Sequence, residues 1–333
     1  MKDYVLEIKD LHVGFKSPIT KEVKDVLYGV SFEAERGKIL GVVGESGSGK
    51  SLTMLSVLHL LNAGSVCKGE ILFNGKNIID YSDKQMREIR GRKISMVFQD
   101  PMTALNPVYT IGNQITEMIK LHRKDIKDPS AYAAELLEDV GISDGKRHLK
   151  QYPYELSGGM RQRVVIAMAL ASNPEILIAD EPTTALDVTV QAQIIELIKD
   201  LTVKHNMTTI IITHDLGIVA KICDNVVVLY GGRVCEKGTA REIFKESKHE
   251  YTKGLIAAVP GASNSKRLVP IEGTPVNRST MPKGCAFCVR CKKAMRICLE
   301  EKPKCIKFSD THEAYCFMNE LPEGFNPFDK EAE

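Results

Sequence analysis

The segment Gly44-Glu45-Ser46-Gly47-Ser48-Gly49-Lys50-Ser51 constrains the fold of this 333-residue chain more than any other. The run before it, ILGVVG (39–44), has the composition of a buried strand, and SLTMLSVLHLLN (51–62) after it has helical spacing. A glycine-rich turn from a strand into a helix directs backbone N–H groups and a helix N-terminus at one anion. The segment therefore predicts a phosphate-binding loop, in which Lys50 reaches the β- and γ-phosphates and the Ser51 hydroxyl holds Mg²⁺.

Strand-like and helix-like segments alternate from Tyr4 to about Lys237. Four more apolar, β-branched runs predict buried strands: ISMVF (94–98), ILIAD (176–180), TTIIIT (208–213) and NVVVLY (225–230). Helical spacing returns in MRQRVVIAMALA (160–171) and VTVQAQIIELIKDLTVKH (188–205), and the stretch from Gly112 to about Val140 is mostly helical. This alternation predicts an α/β fold, in which helices cover the faces of a parallel sheet.

The composition indicates a chain with a buried core and no strong attraction to polyanions. It is 43% hydrophobic and 26% charged, with a net charge of +2. No uninterrupted apolar run approaches the ~20 residues that a membrane-spanning helix needs. The first residues, MKDYVLEIKD, lack the pattern of a secretory signal. We therefore expect a cytoplasmic protein whose connection to any membrane is made by other chains.

Two acids follow one another at the end of the predicted strand ILIAD (176–180). Asp180 can bind a metal ion through water, and Glu181, turned the other way, can orient and deprotonate an attacking water. Acids are also common at solvated strand ends, and the nearby phosphate loop is what favours the catalytic interpretation.

A second glycine turn stands between those sites, in Leu156-Ser157-Gly158-Gly159-Met160. It resembles the signature loop of the ATP-binding cassette (ABC) family, Leu-Ser-Gly-Gly-Gln, with Met160 in place of Gln. Ser157, Gly158 and Gly159 open a predicted helix and could form another anion cradle. One nucleotide does not need two cradles, so the second is expected to serve a partner chain.

Further motifs of that family follow in the family's order. Gln99 matches the Q-loop, which in that family senses the Mg²⁺ ion and touches the transport partner. Ala185-Leu186-Asp187 matches the D-loop, and His214 matches the histidine that contacts the γ-phosphate. Phe15 is the best match to the aromatic residue that stacks on adenine, with Tyr28 as the alternative. Taken singly, these residues also fit ordinary roles such as a turn, a helix cap or a surface histidine. Their joint order implies a P-loop NTPase core with an antiparallel β subdomain and a helical subdomain.

The resemblance implies an ATPase that works in pairs. Two such subunits would enclose two ATP molecules, each held between the phosphate loop of one chain and the signature loop of the other. It places the nucleotide-binding domain at residues 1–240, with a helical subdomain at about 100–165 that docks on a membrane subunit. The remainder, 241–333, forms a C-terminal extension.

That extension is similar to the one found in ATPases of oligopeptide and dipeptide ABC importers. Lys248-His249-Glu250-Tyr251-Thr252 resembles their His-Pro-Tyr-Thr text, and Gly284-Cys285-Ala286-Phe287-Cys288-Val289-Arg290-Cys291 resembles Gly-Cys-x-Phe-x-x-Arg-Cys. The implied partners are a related or identical ATPase, two membrane permease subunits and, indirectly, an extracytoplasmic binding protein. The protein would lie at the cytoplasmic face of the membrane. A metal chelate or an oligosaccharide is an alternative cargo, and an ABC ATPase outside transport is an alternative function.

Six of the nine cysteines lie between Cys285 and Cys316. Without a secretory signal, a metal or cluster site is favoured over disulfides. The family extension is associated with an iron–sulfur cluster, and four thiolates are enough for one [4Fe–4S] cube: Cys285, Cys291, Cys298 and Cys316. A structural zinc site is the alternative, and Cys288 and Cys305 are left over. We expect four nearby cations to lower the thiol pKa values: Arg290, Lys292, Lys293 and Arg296.

Overall fold

The computed structural model describes residues 3–17, 20–184, 186–259, 270–276 and 281–321. Ala185 of the predicted D-loop lies outside these ranges, as do much of the predicted linker (261–284) and the tail after Leu321.

The secondary structure follows the predicted alternation. The strands are β1 (Tyr4–Lys16), β2 (Val23–Glu35), β3 (Ile39–Val43), β4 (Ser65–Phe73), β5 (Lys76–Asn77), β6 (Ile94–Val97), β7 (Ile176–Asp180), β8 (Thr208–Thr213), β9 (Asn225–Tyr230), β10 (Arg233–Thr239), β11 (Ile306–Lys307) and β12 (Glu313–Ala314). The helices are α1 (Lys50–Val57), α2 (Asp83–Arg87), α3 (Pro101–Ala104), α4 (Ile111–His122), α5 (Pro129–Asp139), α6 (Gly145–His148), α7 (Gly158–Leu170), α8 (Val188–Lys204), α9 (Leu216–Ile222), α10 (Ala240–Glu246), α11 (Glu250–Ala257) and α12 (Ile297–Glu300).

The main sheet contains the predicted parallel core. Its strands lie in the order β11-β12-β10-β9-β3-β8-β7-β6, and the segment from β9 to β6 is parallel throughout. Side chains alternate between its two faces, as in any strand. In β7, Ile176 and Ile178 join the core under the antiparallel strands, whereas Leu177 and Ala179 join the core under the helices. Burial on both faces explains why these strands are continuous apolar runs.

A smaller antiparallel sheet lies on one side of this core. Its order is β2-β1-β4-β5, and its long strands β1 and β2 pair along most of their length. Their inward side chains pack with α1 and with the face of the main sheet that carries Leu40 and Val42. This is the predicted antiparallel subdomain. The helix α1 ends before the predicted residue 62, and His59 takes a left-handed φ of 51° just beyond it.

The helical subdomain is built from α4, α5 and α7, which contact one another in pairs. Thr110 caps α4 by accepting the N–H of Asn113, and Asp128 caps α5, whose first residue is Pro129. Such caps satisfy N–H groups that have no partner within the helix. The apolar faces join the core under the helices, so this subdomain is continuous with the main sheet.

Part of the C-terminal extension completes the edge of the main sheet. The strand β12 pairs with β10 through Glu236 opposite Ala314 and Lys237 opposite Glu313, and β11 pairs with β12. His312 lies beside this pairing and makes a buried 2.8 Å contact with Glu236. These contacts attach the cysteine-rich segment to the edge of the main sheet of the cassette.

Candidate nucleotide site

The phosphate loop has the strand–turn–helix context that the sequence predicts. It runs from the end of β3 at Val43 to the first residue of α1, Lys50. Gly44 has a φ of 149°, and a Cβ there would lie 2.1 Å from the carbonyl oxygen of Leu229. Gly49 caps α1 with a φ of 104°, and a Cβ there would lie 2.5 Å from the side chain of Leu27. Side chains are therefore excluded at both ends of the loop.

Lys50 is buried and points back into the loop. Its ammonium donates hydrogen bonds to the carbonyl oxygens of Gly44 at 2.8 Å and Glu45 at 3.0 Å. Burial lowers the pKa of Lys50, and the acids Glu181, Asp180 and Glu45 oppose that shift. The ammonium group is thus held where a phosphate bound in the loop could replace the two carbonyl oxygens as its hydrogen-bond acceptor.

Ser51 meets Asp180 at the other end of this site. The Ser51 hydroxyl donates to the Asp180 carboxylate at 3.0 Å. Burial and the neighbouring charge of Glu181 raise the pKa of Asp180, so a cation beside it would restore its preference for the ionised form. Hydroxyl and carboxylate oxygens are the hard donors that Mg²⁺ prefers. The residues present therefore fit the Mg²⁺ that accompanies a nucleotide.

Glu181 lies at the centre of a polar cluster. Its carboxylate accepts hydrogen bonds from the Gln99 side-chain amide at 2.8 Å and the Thr184 hydroxyl at 3.0 Å. The His214 Nδ1 atom lies 3.2 Å from its other oxygen. Glu181 has a φ of 45°, unusual for a residue with a Cβ, while its N–H is held by the Ile212 carbonyl at 2.9 Å. The structure thus brings Gln99, Glu181 and His214 together.

The signature loop presents a helix N-terminus to solvent. Ser157 and Gly158 are exposed, and the Ser157 hydroxyl caps α7 by accepting the N–H of Met160 at 3.3 Å. A Cβ on Gly159 would lie 2.7 Å from the side chain of Val190, which explains why a glycine stands there. The side chain of Met160, in the position of the usual Gln, is partly buried and packs against the core.

The remaining predicted site residues occupy ordinary structural positions. Asp187 caps α8 by accepting the N–H of Val190 at 3.0 Å. Phe15 lies near the end of β1 and is partly buried. Tyr28 donates its hydroxyl to the Asp25 carbonyl at 2.8 Å, and the Arg233 guanidinium lies 5.3 Å from its ring.

Sequence reasoning missed three residues that contact this site: Thr184, Tyr251 and Arg290. Thr184 stands three residues after Glu181 in a turn, and that spacing is the signal that could have found it. Tyr251 and Arg290 reach Glu45 of the phosphate loop from the extension. No short spacing links residues so far apart in the chain.

The electrostatics of the cysteine segment contradict the prediction. Each of the four predicted cations pairs with an acid: Arg290 with Glu45, Lys292 with Glu272, Lys293 with Glu250 and Arg296 with Glu300. The expected lowering of thiol pKa values is wrong, because burial raises the pKa of Cys285 to about 12 and of Cys291 to about 11. Burial also raises the pKa values of Cys288 and Cys316.

The predicted [4Fe–4S] site is not formed by the described side chains. Within the described ranges, no group of three or more His, Cys, Asp or Glu residues is arranged to hold a metal ion. Cys288 and Cys298 pack with Phe317, and Cys285 lies at the edge of that cluster. The four predicted thiols are nevertheless neighbours, because the charges of Cys298 and Cys316 raise the pKa values of both Cys285 and Cys291.

Comparisons with known proteins agree with this geometry. Residues 27–184 match the family described as ABC transporter, and residues 235–298 match the family described as oligopeptide/dipeptide transporter, C-terminal region. The oligopeptide transport ATP-binding protein OppD of Bacillus subtilis is 50% identical over 313 residues, covering 92% of this chain and 87% of that protein. The dipeptide transport ATP-binding protein DppD of the same organism is 47% identical, covering 95% of each.

Solved structures show the same fold. A dimeric post-hydrolysis state of the ATP-binding cassette MJ0796, bound to ADP and Pi, superposes with a TM-score of 0.62 at 28% identity, covering 71% of this chain and 99% of that one. CbiO1 from Clostridium perfringens gives a TM-score of 0.63 at 30% identity, covering 74% and 92%. In the part of the chain described here, no helix is long and apolar enough to cross a bilayer.

Proposed function

Because this chain belongs to the ABC transporter ATPases, in the branch with the oligopeptide/dipeptide C-terminal region, we propose that it hydrolyses ATP to energise import of oligopeptides or dipeptides. The observation that carries the chemistry is the Glu181 carboxylate, held by Gln99 and His214 next to the Lys50–Ser51–Asp180 site. The names of the two Bacillus subtilis relatives support the cargo.

The phosphate loop binds the nucleotide by exchanging partners. Lys50 releases the carbonyls of Gly44 and Glu45 and donates to the phosphates, while the N-terminus of α1 adds its positive end. Ser51, Asp180 and Gln99 would hold Mg²⁺, which would neutralise phosphate charge when bound. Phe15 is our choice for the residue under adenine, because Tyr28 is engaged with Arg233 and Asp25.

Glu181 supplies the base. Water that attacks the γ-phosphorus loses its proton to a Glu181 carboxylate oxygen, and Gln99 and Thr184 keep that carboxylate in position. His214 is two-thirds exposed, with 67% of its side chain accessible, so it can turn from Glu181 to the γ-phosphate. Asp187 and the signature loop act from a second subunit.

A pair of subunits completes each nucleotide site. The exposed N-terminus of α7, with Ser157, Gly158 and Gly159, is a phosphate cradle without a nucleotide of its own chain to bind. The dimeric state of the MJ0796 cassette supports this arrangement. The partner is a related or an identical ABC ATPase.

Two permease subunits anchor the pair to the membrane, so that the chain is peripheral at its cytoplasmic face. Large apolar side chains on the helical subdomain support docking there, because Val108, Tyr109 and Leu121 are 71%, 54% and 65% exposed. The proposed boundaries are 1–240 for the nucleotide-binding domain, with the helical subdomain at about 100–165, and 241–333 for the extension.

A [4Fe–4S] cluster on Cys285, Cys291, Cys298 and Cys316, with zinc as the alternative, stays a proposal that rests on the cysteine-rich sequence. The described side-chain arrangement does not support it. The test is to measure iron, acid-labile sulfide and zinc in anaerobically purified protein. Iron with sulfide would support the cluster, whereas stoichiometric zinc or neither metal would exclude it.

Transport by the assembled complex tests the proposed function. Proteoliposomes that contain the complex and enclosed ATP are expected to import a labelled peptide into their lumen, and this uptake should depend on ATP. Lys50→Ala should abolish both ATP binding and transport, because it removes the buried cation of the loop. ATP turnover that continues unchanged without peptide movement would exclude peptide transport while leaving the ATPase assignment intact.

A further inference from the structure

Arg290 of the extension is bound on all sides. A guanidinium has five N–H donors, and the structure supplies five acceptors for Arg290. Two are the carboxylate oxygens of Glu45 at 2.6 and 3.1 Å, and the others are the Tyr230 hydroxyl at 3.3 Å and the carbonyls of Glu272 and Ile271 at 2.9 and 3.2 Å. Its side chain is 4% exposed. A buried fork of this kind has one orientation, so it fixes the Glu45 carboxylate in space.

Tyr251 holds the backbone of the same loop residue. Its hydroxyl oxygen accepts the Glu45 N–H at 2.8 Å. The extension thus binds both the side chain and the backbone amide of Glu45, the residue that follows Gly44 in the phosphate loop. The Glu45 carbonyl is one of the two acceptors of Lys50, so the position of this peptide also sets where the loop lysine lies.

Arg290 and Tyr251 both pack in one cluster of aromatic side chains, called here the aromatic platform. The rings of Tyr230, Tyr251 and Phe287 lie 4.6 to 5.3 Å apart by their centroids. The Arg290 guanidinium lies 5.8 Å from the Tyr230 ring and 5.9 Å from the Phe287 ring. Tyr230 ends β9 of the main sheet, so the platform ties the extension to the strand next to the phosphate loop.

We propose that Arg290 and Tyr251 are positioning residues for ATP binding, which hold Glu45 so that the phosphate loop is pre-formed for the nucleotide. The extension thereby belongs to the nucleotide site although it contacts no phosphate. A loop that is already ordered loses less conformational entropy when it binds its ligand, so fixing Glu45 strengthens ATP binding. This inference rests on the proposed function, because it assigns part of the ATP affinity to the extension.

The alternative is that these contacts only attach the extension to the cassette. The ATP dissociation constant of the isolated full-length chain distinguishes the positioning role from mere attachment of the extension. We expect Arg290→Lys, which keeps the charge but loses the fork, to weaken ATP binding by about 5- to 10-fold, as does Tyr251→Phe, which loses one acceptor. Turnover by the assembled complex at saturating ATP should stay within about twofold, because neither residue contacts the reacting atoms.

Two matched substitutions in the extension serve as controls. Arg296→Lys makes the same change at a side chain that is 92% exposed and pairs with Glu300. Tyr315→Phe removes a hydroxyl that interacts with Cys305. Both are expected to bind ATP like the parent chain. If Arg290→Lys does not fold, Tyr251→Phe decides alone, because it keeps the ring in the aromatic platform.

A double-mutant cycle identifies Glu45 as the link. If Arg290 acts through Glu45, adding Arg290→Lys to Glu45→Gln should change the ATP dissociation constant by less than about twofold. Wild-type affinity in folded Arg290→Lys and Tyr251→Phe would overturn the inference, as would fully additive effects in the cycle. Binding by the parent chain, and its loss in Lys50→Ala, tests the proposed function separately, so the two can fail independently.

Discussion

At the scale of single residues, Glu181 carries the most specific prediction. Its φ of 45° is a strained backbone position, and the polar contacts of Gln99, Thr184 and His214 hold its carboxylate there. Glu181→Gln keeps the size of the side chain but cannot accept a proton from water. We expect ATP hydrolysis by the assembled complex to fall by at least about 100-fold, measured as phosphate release.

ATP binding by this variant should remain, because Lys50 and the loop amides are untouched. Closed dimers should accumulate with ATP, since opening follows hydrolysis. Glu196→Gln is a suitable control, because Glu196 is a half-exposed acid of α8 that pairs with lysines. Glu181→Gln with turnover like that of the control would remove Glu181 from the role of base.

At the scale of secondary-structure elements, the attachment of β12 to β10 depends on a buried polar pair. Glu236 is fully buried and His312 is 2% exposed. Burial alone would raise the pKa of Glu236, but hydrogen bonds from His312 and from the backbone N–H groups of Lys248 and His249 lower it below its ordinary value. The carboxylate therefore stays ionised inside the protein as long as its donors are present.

His312→Ala removes one of those donors and leaves the charge buried. We expect a loss of about 2–4 kcal/mol in the free energy of unfolding, measured by urea denaturation at pH 7.5. The control is Lys307→Ala, because Lys307 of β11 is an exposed ion-pair partner of Glu313. It should change the free energy of unfolding by less than about 1 kcal/mol. Equal stability of the two variants would show that the His312 contact does not stabilise the sheet edge.

Individual strands differ in how well the sequence predicts them. The buried parallel strands were predictable because burial on both faces requires continuous apolar runs, and TTIIIT and NVVVLY have the predicted bounds. The strands β11 and β12 were not, because two-residue strands carry no periodicity and depend on pairing with distant β10. In the site, Gln99, Glu181 and His214 follow strand ends that meet at one sheet edge. The Glu45–Arg290 pair joins residues 245 positions apart, which no local pattern reveals.

At the scale of the whole molecule, the junction between cassette and extension makes stability depend on pH. His249 is 2% exposed, packs near Phe287 and caps α11 by accepting the Tyr251 N–H at 3.0 Å. Burial lowers the pKa of His249 to about 4, against the opposing pull of Glu236 and Glu250. Its ordinary pKa in an unfolded chain is about 6.5. Between these two values the unfolded chain binds a proton that the folded chain excludes.

Stability must therefore fall as the pH falls from about 6.5 to about 4, and it should not change through His249 above that range. The full difference corresponds to about 3 kcal/mol at 1.36 kcal/mol per pKa unit. The lowered pKa of Glu236 acts in the same direction, so His249→Asn, which keeps a capping oxygen, should flatten the dependence without abolishing it. Urea denaturation at pH 7.5, 6.0 and 4.5 measures both chains. If the parent chain and His249→Asn lose equal stability over this range, His249 is not buried in its neutral form and the packing assigned to this junction is wrong.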